Sequence, residues 1–261
     1  MNEKKLYIIK VGGNIIDDAT KLSTFLSSFA KLNGKKILVH GGGKLATKMA
    51  ADLSIPQKMV DGRRITDAET LKIVTMVYAG LINKQIVASL NALESTSIGL
   101  SGADGNCIIA HKRVHPTIDF GFVGDVDRID TELMLTLLKR ELNIIIAPIT
   151  QDQSGQLLNT NADTIAQEIA KAMAKDMSVT LIYSFEKKGV LRDVNDDNSV
   201  IPTMDKSLYG QLKKNNAIFA GMIPKLDNAF AALDAGVEKV IIGDALELMA
   251  LIEGESGTAI C

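Results

Sequence analysis

The sequence predicts an α/β fold in which helices cover an open, mainly parallel sheet. Three observations lead to it. Short apolar strand signals alternate with stretches of helical spacing along most of the chain. The strand signals are continuous aliphatic runs such as Ile144 to Ile149, the pattern of strands covered on both faces. Aromatic residues make up 4% of the 261 residues and tryptophan is absent, so the core must be aliphatic.

The length suits one large α/β domain or two lobes. A net charge of −2 and a pI near 6.0, with no block of like charges, speak against a nucleic-acid binder. Two cysteines, Cys107 and Cys261, point to a reducing compartment rather than a disulfide framework. No signal-peptide pattern and no run near eighteen apolar residues is present, so a cytoplasmic protein without a membrane segment is expected. His40, His111 and His115 lack metal-like spacing, and His40, at the end of a strand, reads as structural.

The first strand, Tyr7 to Val11, carries Lys10 and stops at Gly12 and Gly13. A lysine in a buried strand is costly unless its ammonium meets an anion or snorkels to water. Ligands of open α/β sheets sit beyond the strands' carboxyl ends, where Lys10 and the Gly12 and Gly13 N–H groups could hold a phosphate. A helix over Lys21 to Leu32 and a strand over Lys36 to His40 follow. Gly41-Gly42-Gly43 then precedes a helix from Leu45 to Leu53, a second anion-site candidate or a plain turn. Neither a Walker loop nor a dinucleotide fingerprint is present.

Met59 to Ile65 reads as a polar connection containing Arg63 and Arg64. Thr66 with Glu69 reads as a capping box opening a helix of about 28 residues, ~42 Å long, with a bend near Gly80 or a place at a subunit interface. Arg64 is either a surface arginine or a forked partner for a carboxylate. Residues 95 to 127 read as a small antiparallel excursion fit to cover a substrate, and Ile129 to Leu138 as a helix. Asn161 is a natural N-cap for a helix to about Ala174. Asp163 lies in its first turn, either complementing the dipole or holding lysines around a phosphate. Ser178 to Tyr183 reads as a strand, Asn195 to Asn198 as a turn and Lys206 to Asn215 as a helix. Pro224 suits the first position of the next helix, which leaves Lys225 in a first turn, where a cation favours a bound anion. Lys239 to Ile242 is a strand, Ala245 to Ile252 a helix, and Gly257 to Ile260 a final edge strand.

These pieces occur together in one family. Lys10-Val11-Gly12-Gly13-Asn14, Val39-His40-Gly41-Gly42-Gly43, the segment Asp61 to Thr70, Gly121 to Val126, Leu158 to Asp163 and Gly221-Met222-Ile223-Pro224-Lys225 resemble, in order, the motifs of the amino-acid kinase family. The arginine segment before a capped helix, combined with Asn159-Thr160-Asn161-Ala162-Asp163, is similar to the branch acting on N-acyl-glutamates. The resemblance implies a three-layer α/β/α sandwich with a β-hairpin lid. A lobe of about 1–175 would bind the acyl-amino acid and a lobe of about 176–261 would bind ATP.

The resemblance implies ATP-dependent phosphorylation of the γ-carboxylate of an N-acyl-L-glutamate in arginine biosynthesis. N-acetyl is the first choice and N-succinyl the second. Lys10, Lys225 and Asp163 would be catalytic. Gly42, Gly43, Arg64 and Asn159 would hold the substrate, and Gly12, Gly13 and Asn161 the nucleotide phosphates. Mg²⁺ would enter with ATP and no dedicated metal site is expected. Three departures stand out. Phe185-Glu186 replaces a usual Ser-Asp or Thr-Asp pair. Basic residues between 110 and 119 lie near the expected lid and suit an anionic acyl group. The chain starts at its first strand, so a homodimer without arginine feedback is expected. The competing readings are a carbamate, aspartate or glutamate kinase of the same fold, or a non-catalytic nucleotide-binding regulator.

Overall fold

The alternation of strand and helix signals is realised in the structure, a computed structural model that describes residues 4–60, 63–193, 195–215, 218 and 222–261. Met1 to Glu3 and the motif residues Asp61, Gly62 and Gly221 lie outside the described residues. Two units divide the chain: Met1–Ile37 with Ala166–Cys261, and Leu38–Ile165.

The first unit begins with β1 (Lys5–Val11), α1 (Gly13–Ile16) and α2 (Ala19–Lys31), and β2 (Lys35–His40) leads out of it. The second unit continues through α3 (Gly43–Asp52), β3 (Lys58–Val60), β4 (Arg63–Ile65) and α4 (Ala68–Thr75). A π-helical segment, Met76–Ile82, joins α4 to α5 (Asn83–Ala92). Then come β5 (Ser97–Leu100), β6 (Ile108–Lys112), β7 (Val123–Ile129), α6 (Thr131–Lys139), β8 (Asn143–Ile146), β9 (Ile149–Gln151) and β10 (Leu157–Thr160). α7 (Ala162–Met173) returns the chain to the first unit. There it forms β11 (Ser178–Phe185), β12 (Thr203–Met204), α8 (Lys206–Lys214), α9 (Ile223–Asp234), β13 (Lys239–Asp244), α10 (Leu248–Glu253) and β14 (Thr258–Ile260).

In the first unit the strand order is β12-β14-β13-β11-β1. β1 pairs in parallel with β11, and β11 with β13. The two units have other bounds than the lobes of 1–175 and 176–261 expected to bind the acyl-amino acid and ATP. The opening strand belongs with the C-terminal stretch, and the boundary falls inside α7. β14 is not the sheet edge, because β12 pairs outside it. Two residues of strand carry too little pattern to announce themselves in sequence.

In the second unit β5 and β8 are parallel. The expected hairpin forms from β6 and β7, and β9 and β10 close it into a small barrel in the order β10-β7-β6-β9. Met59 to Ile65 is not a plain connection: β3 and β4 pair antiparallel there. The helix after it does not start at Thr66. Asp67 is the N-cap, its Oδ1 accepting from Thr70 N at 2.8 Å. Aspartates cap α2, α6 and α8 in the same way at Asp18, Asp130 and Asp205, satisfying N–H groups that a helix start leaves open.

The helix Ala68–Ala92 is long and apolar enough, by length and composition alone, to cross a membrane. Val74, Val77, Ile82, Ile86 and Leu90 on it are nevertheless buried, which is how a core helix behaves. Gly121 shows how tightly this unit closes. Its φ is +70°, and a Cβ there would stand 2.2 Å from the Thr66 carbonyl oxygen. Phe122 N donates to that carbonyl at 2.7 Å and Thr66 N donates to Phe120 O at 2.9 Å. Gly121→Ala should lower stability by about 2 kcal/mol or more, from strain plus the backbone clash. Denaturant titration against the wild type measures it, and an unchanged midpoint would contradict this packing.

Candidate active site

The glycine loop after β2 is shaped by what packs on it. Gly42 has φ +147°, and a Cβ there would lie 2.3 Å from Ile82 Cδ1 and 3.1 Å from Tyr78 Cδ1. Only glycine lets the chain pass under the π segment and enter α3. The first turn of α3 then leaves N–H groups without an intrahelical acceptor at the positive end of the helix dipole.

Arg64, on β4, is 8% exposed. Its Nη2 donates to Gly43 O and to Thr47 Oγ1, both at 2.9 Å, and its Nη1 donates to Gln57 Oε1. Gln57 Nε2 in turn donates to Thr70 Oγ1 at 3.1 Å. Both forked edges of a guanidinium include Nη2. A forked carboxylate at Arg64 must therefore take the place of the Gly43 carbonyl or the Thr47 hydroxyl. That exchange replaces a neutral acceptor with a charged one and strengthens the bond.

Asn159, on β10, donates from Nδ2 to Thr66 Oγ1 at 3.0 Å, and Thr66 Oγ1 donates to Arg64 O at 3.3 Å. The second unit thus gathers Gly42, Gly43, Arg64 and Asn159 around the β3–β4 hairpin. Thr47, Gln57 and Thr66, which hold Arg64 and Asn159, escape sequence reading because nothing in their spacing marks them.

Asn161 caps α7: its Oδ1 accepts from Asp163 N at 2.8 Å and Thr164 N at 3.2 Å. With Oδ1 so engaged, a ligand would meet Asn161 through Nδ2. Asp163 sits in the first turn of α7, where the dipole favours its negative charge.

The first unit holds Lys10, Gly12, Gly13 and Lys225. Lys10 is the register partner of Tyr183 across the β1–β11 pair, so their side chains share a face. Lys225, in the first turn of α9 after Pro224, has its Nζ 5.8 Å from the centre of the Tyr183 ring. Tyr183 therefore neighbours both lysines. Gly12 N donates to Ser184 O at 3.0 Å. That N–H extends the β1–β11 pairing rather than facing an anion, which leaves Gly13, at the start of α1, as the loop's donor. Gly12 and Gly13 open a helical turn.

These pieces can be set beside known proteins. The Amino acid kinase family matches residues 5–244. The chain belongs to the amino acid kinase family. It is 55% identical over 250 residues to the acetylglutamate kinase of Cytophaga hutchinsonii, covering 95% of each chain. It is 52% identical over 257 residues to that of Bacteroides thetaiotaomicron, covering 98% of each. Among solved structures, the N-acetylglutamate synthase of Neisseria gonorrhoeae superposes with a TM-score of 0.84 at 20% identity. That match spans 100% of this chain and 60% of the other and speaks for the fold. A mostly parallel sheet with helices on both sides is the architecture they share.

One sequence feature of this amino acid kinase reads differently in three dimensions. The basic groups of the hairpin are compensated within it. His111 Nδ1 lies 2.7 Å from Asp127 Oδ1, Lys112 Nζ 3.4 Å from Asp119 Oδ1, and Arg113 Nε donates to both Asp125 oxygens at 3.1 Å. His115 packs edge-on against Phe120. Basic groups already answered by carboxylates give an anionic acyl group little to bind. Cys107 is buried, and burial pushes its thiol up to about 12, which makes it unreactive.

His40 is 0% exposed, and burial lowers its pKa to about 4 from the ordinary 6.5, with the charge of Lys84 acting the same way. The unfolded chain binds the proton more readily, so stability is complete above pH 6.5 and falls as the pH drops toward 4. The loss attributable to His40 should be about 3 kcal/mol, read as the difference between wild type and His40→Asn in urea titrations at pH 7 and pH 4. Equal losses for both proteins would contradict a buried neutral imidazole.

Proposed function

We propose that this chain transfers the γ-phosphoryl group of ATP to the γ-carboxylate of N-acetyl-L-glutamate, in arginine biosynthesis. The observation that carries the reading is the buried Arg64, held beside the glycine loop and Asn159 in a chain of the amino acid kinase family. Relatives named acetylglutamate kinase, more than half identical over nearly their whole length, support it. On this reading Arg64 holds the α-carboxylate, Asn159 the neighbouring polar groups, and Gly42 and Gly43 offer backbone N–H groups to the substrate. The pairing of the hairpin's basic residues favours the acetyl over the succinyl group.

The chemistry needs little beyond position and charge. A γ-carboxylate oxygen, ionised near neutral pH, attacks the γ-phosphorus. The bond to the β-phosphate oxygen breaks, and ADP leaves with that electron pair. No proton has to move, so no general base is required. Lys10 and Lys225 stabilise the charge spread over the transferring group, and Asp163 orients them. Gly13 and Asn161 meet the nucleotide phosphates. Mg²⁺ is expected to enter with ATP, held mainly by phosphate oxygens and water. Mg²⁺ supplies charge neutralisation when it is bound with ATP.

We further place the enzyme in the cytoplasm as a homodimer. Met76 and Leu81, exposed on one long helix, support self-association. Sedimentation at micromolar protein should give twice the monomer mass, and a monomer would overturn that part.

ADP release should occur with N-acetyl-L-glutamate, and hydroxylamine should trap an acyl hydroxamate. Free glutamate, aspartate and carbamate should give neither, and N-succinyl-L-glutamate should be at least tenfold poorer. Lys10→Ala and Lys225→Ala should each lower kcat by roughly 100-fold or more, and Arg64→Ala should chiefly raise the KM for the acyl-glutamate. Tight ATP binding with no turnover on any of these acceptors would instead favour a nucleotide-binding regulator.

A further inference from the structure

The buried residues behind the glycine loop form a chain of hydrogen bonds that the mechanism above does not use. His40 Nδ1 lies 2.8 Å from Gly41 O, and its Nε2 lies 3.3 Å from Asn83 Nδ2. Asn83, 1% exposed, also donates from Nδ2 to Ile145 O at 3.0 Å. Its Oδ1 accepts from Lys84 Nζ at 3.1 Å, and Lys84 Nζ donates to Gly99 O at 3.0 Å. Gly99 makes room for this: a Cβ there would stand 2.0 Å from Asn83 Oδ1.

The network admits one arrangement of protons. A carbonyl oxygen only accepts, so Nδ1 of His40 must carry the hydrogen that Gly41 O receives. Nε2 is then bare and must accept. Asn83 can face both Nε2 and the Ile145 carbonyl only with its two N–H groups, and its oxygen meets the Lys84 ammonium. Reversing the amide would set oxygen against oxygen at Ile145. A buried imidazole with both nitrogens satisfied is fixed in one tautomer and one orientation.

We propose that His40 is a positioning residue: held by Asn83 in the Nδ1–H tautomer, it pins the Gly41 carbonyl and so sets how Gly42 and Gly43 present their backbone to the substrate. The π segment is part of the device. Gly42 is clamped from one side by Tyr78 and Ile82, and Asn83, the next residue along the same helix, reaches the other end of the loop through His40. A π segment wedged into an α-helix is a common mark of functional sites. Here it ties one helix to two points of a loop of three glycines, whose backbone would otherwise be freer than any other tripeptide's.

The proposal rests on the substrate assignment above, so the test separates the two. Imidazole ¹⁵N spectra of the wild-type protein read His40 without any reference to activity. The expected result is a protonated Nδ1 and a bare Nε2, unchanged from pH 8 to pH 5. An Nε2–H tautomer, or titration near pH 6.5, would overturn the strut. Kinetics then use two near-isosteric variants. His40→Asn keeps a donor where Nδ1 stood, and His40→Gln keeps a polar group only where Nε2 stood. With N-acetyl-L-glutamate and ATP–Mg²⁺, His40→Asn should stay within about threefold of wild-type kcat/KM. His40→Gln should lose about tenfold, the size of one hydrogen bond, mostly in the KM for the acyl-glutamate. Equal losses in both variants, or none in either, would reduce His40 to a packing residue. A wild-type protein inert toward N-acyl-glutamates would sink the substrate assignment and leave the spectra to decide the strut.

Discussion

A guanidinium that is 8% exposed must be surrounded by acceptors, because an unpaired buried charge costs several kcal/mol. Much of the second unit's local architecture answers that demand at Arg64. The short β3–β4 pair brings the arginine inward. α3 starts where its first carbonyl, Gly43 O, can accept, and Thr47 one turn later adds a hydroxyl. Gln57 spans from Arg64 to Thr70 on α4, and Thr66 links the Arg64 backbone to Asn159. Among the described residues every acceptor that reaches the guanidinium is neutral. The positive charge is therefore hydrogen-bonded but not cancelled, which is the state in which an arriving carboxylate gains most.

The first unit solves a different problem. Lys10 lies on a strand whose other residues from Leu6 to Val11 are buried, so its ammonium has to leave along one face. Parallel pairing puts Tyr183 on that face, and α9 brings Lys225 over the same ring. Pro224 suits the start of that helix and fixes the backbone ahead of the lysine. A lysine paired in register with Tyr183 and a second over its ring make sense where a multiply charged anion is handled, and the amino acid kinase family transfers such a group.

Long, strongly patterned elements were legible in the sequence: the aliphatic strands, the glycine loop, the Asn161 cap and the Pro224 helix start. What the sequence hid depended on tertiary partners. Two- and three-residue strands such as β3, β4 and β12 carry no period of their own. Thr66 matched a capping box, yet Asp67 takes the cap and Thr66 serves Asn159 instead. The π segment leaves no compositional trace, since Met76 to Ile82 would suit an ordinary helix equally well. The hairpin's basic residues looked available because their carboxylates, Asp125 and Asp127, sit diagonally across a register that only the folded β6–β7 pair defines. Likewise, nothing local to Lys5–Val11 announces that its partner lies at Ser178–Phe185.

A carboxylate oxygen as the nucleophile is tested most directly by supplying N-acetyl-L-glutamate labelled with ¹⁸O in the γ-carboxylate and following ³¹P resonances during turnover with ATP. The expected product is an acyl phosphate whose phosphorus shows the isotope shift of a bridging ¹⁸O, with the label passing to phosphate once hydroxylamine cleaves at carbon. Unlabelled phosphate as the only product would mean that water, not the carboxylate, takes the phosphoryl group, and would overturn the assignment.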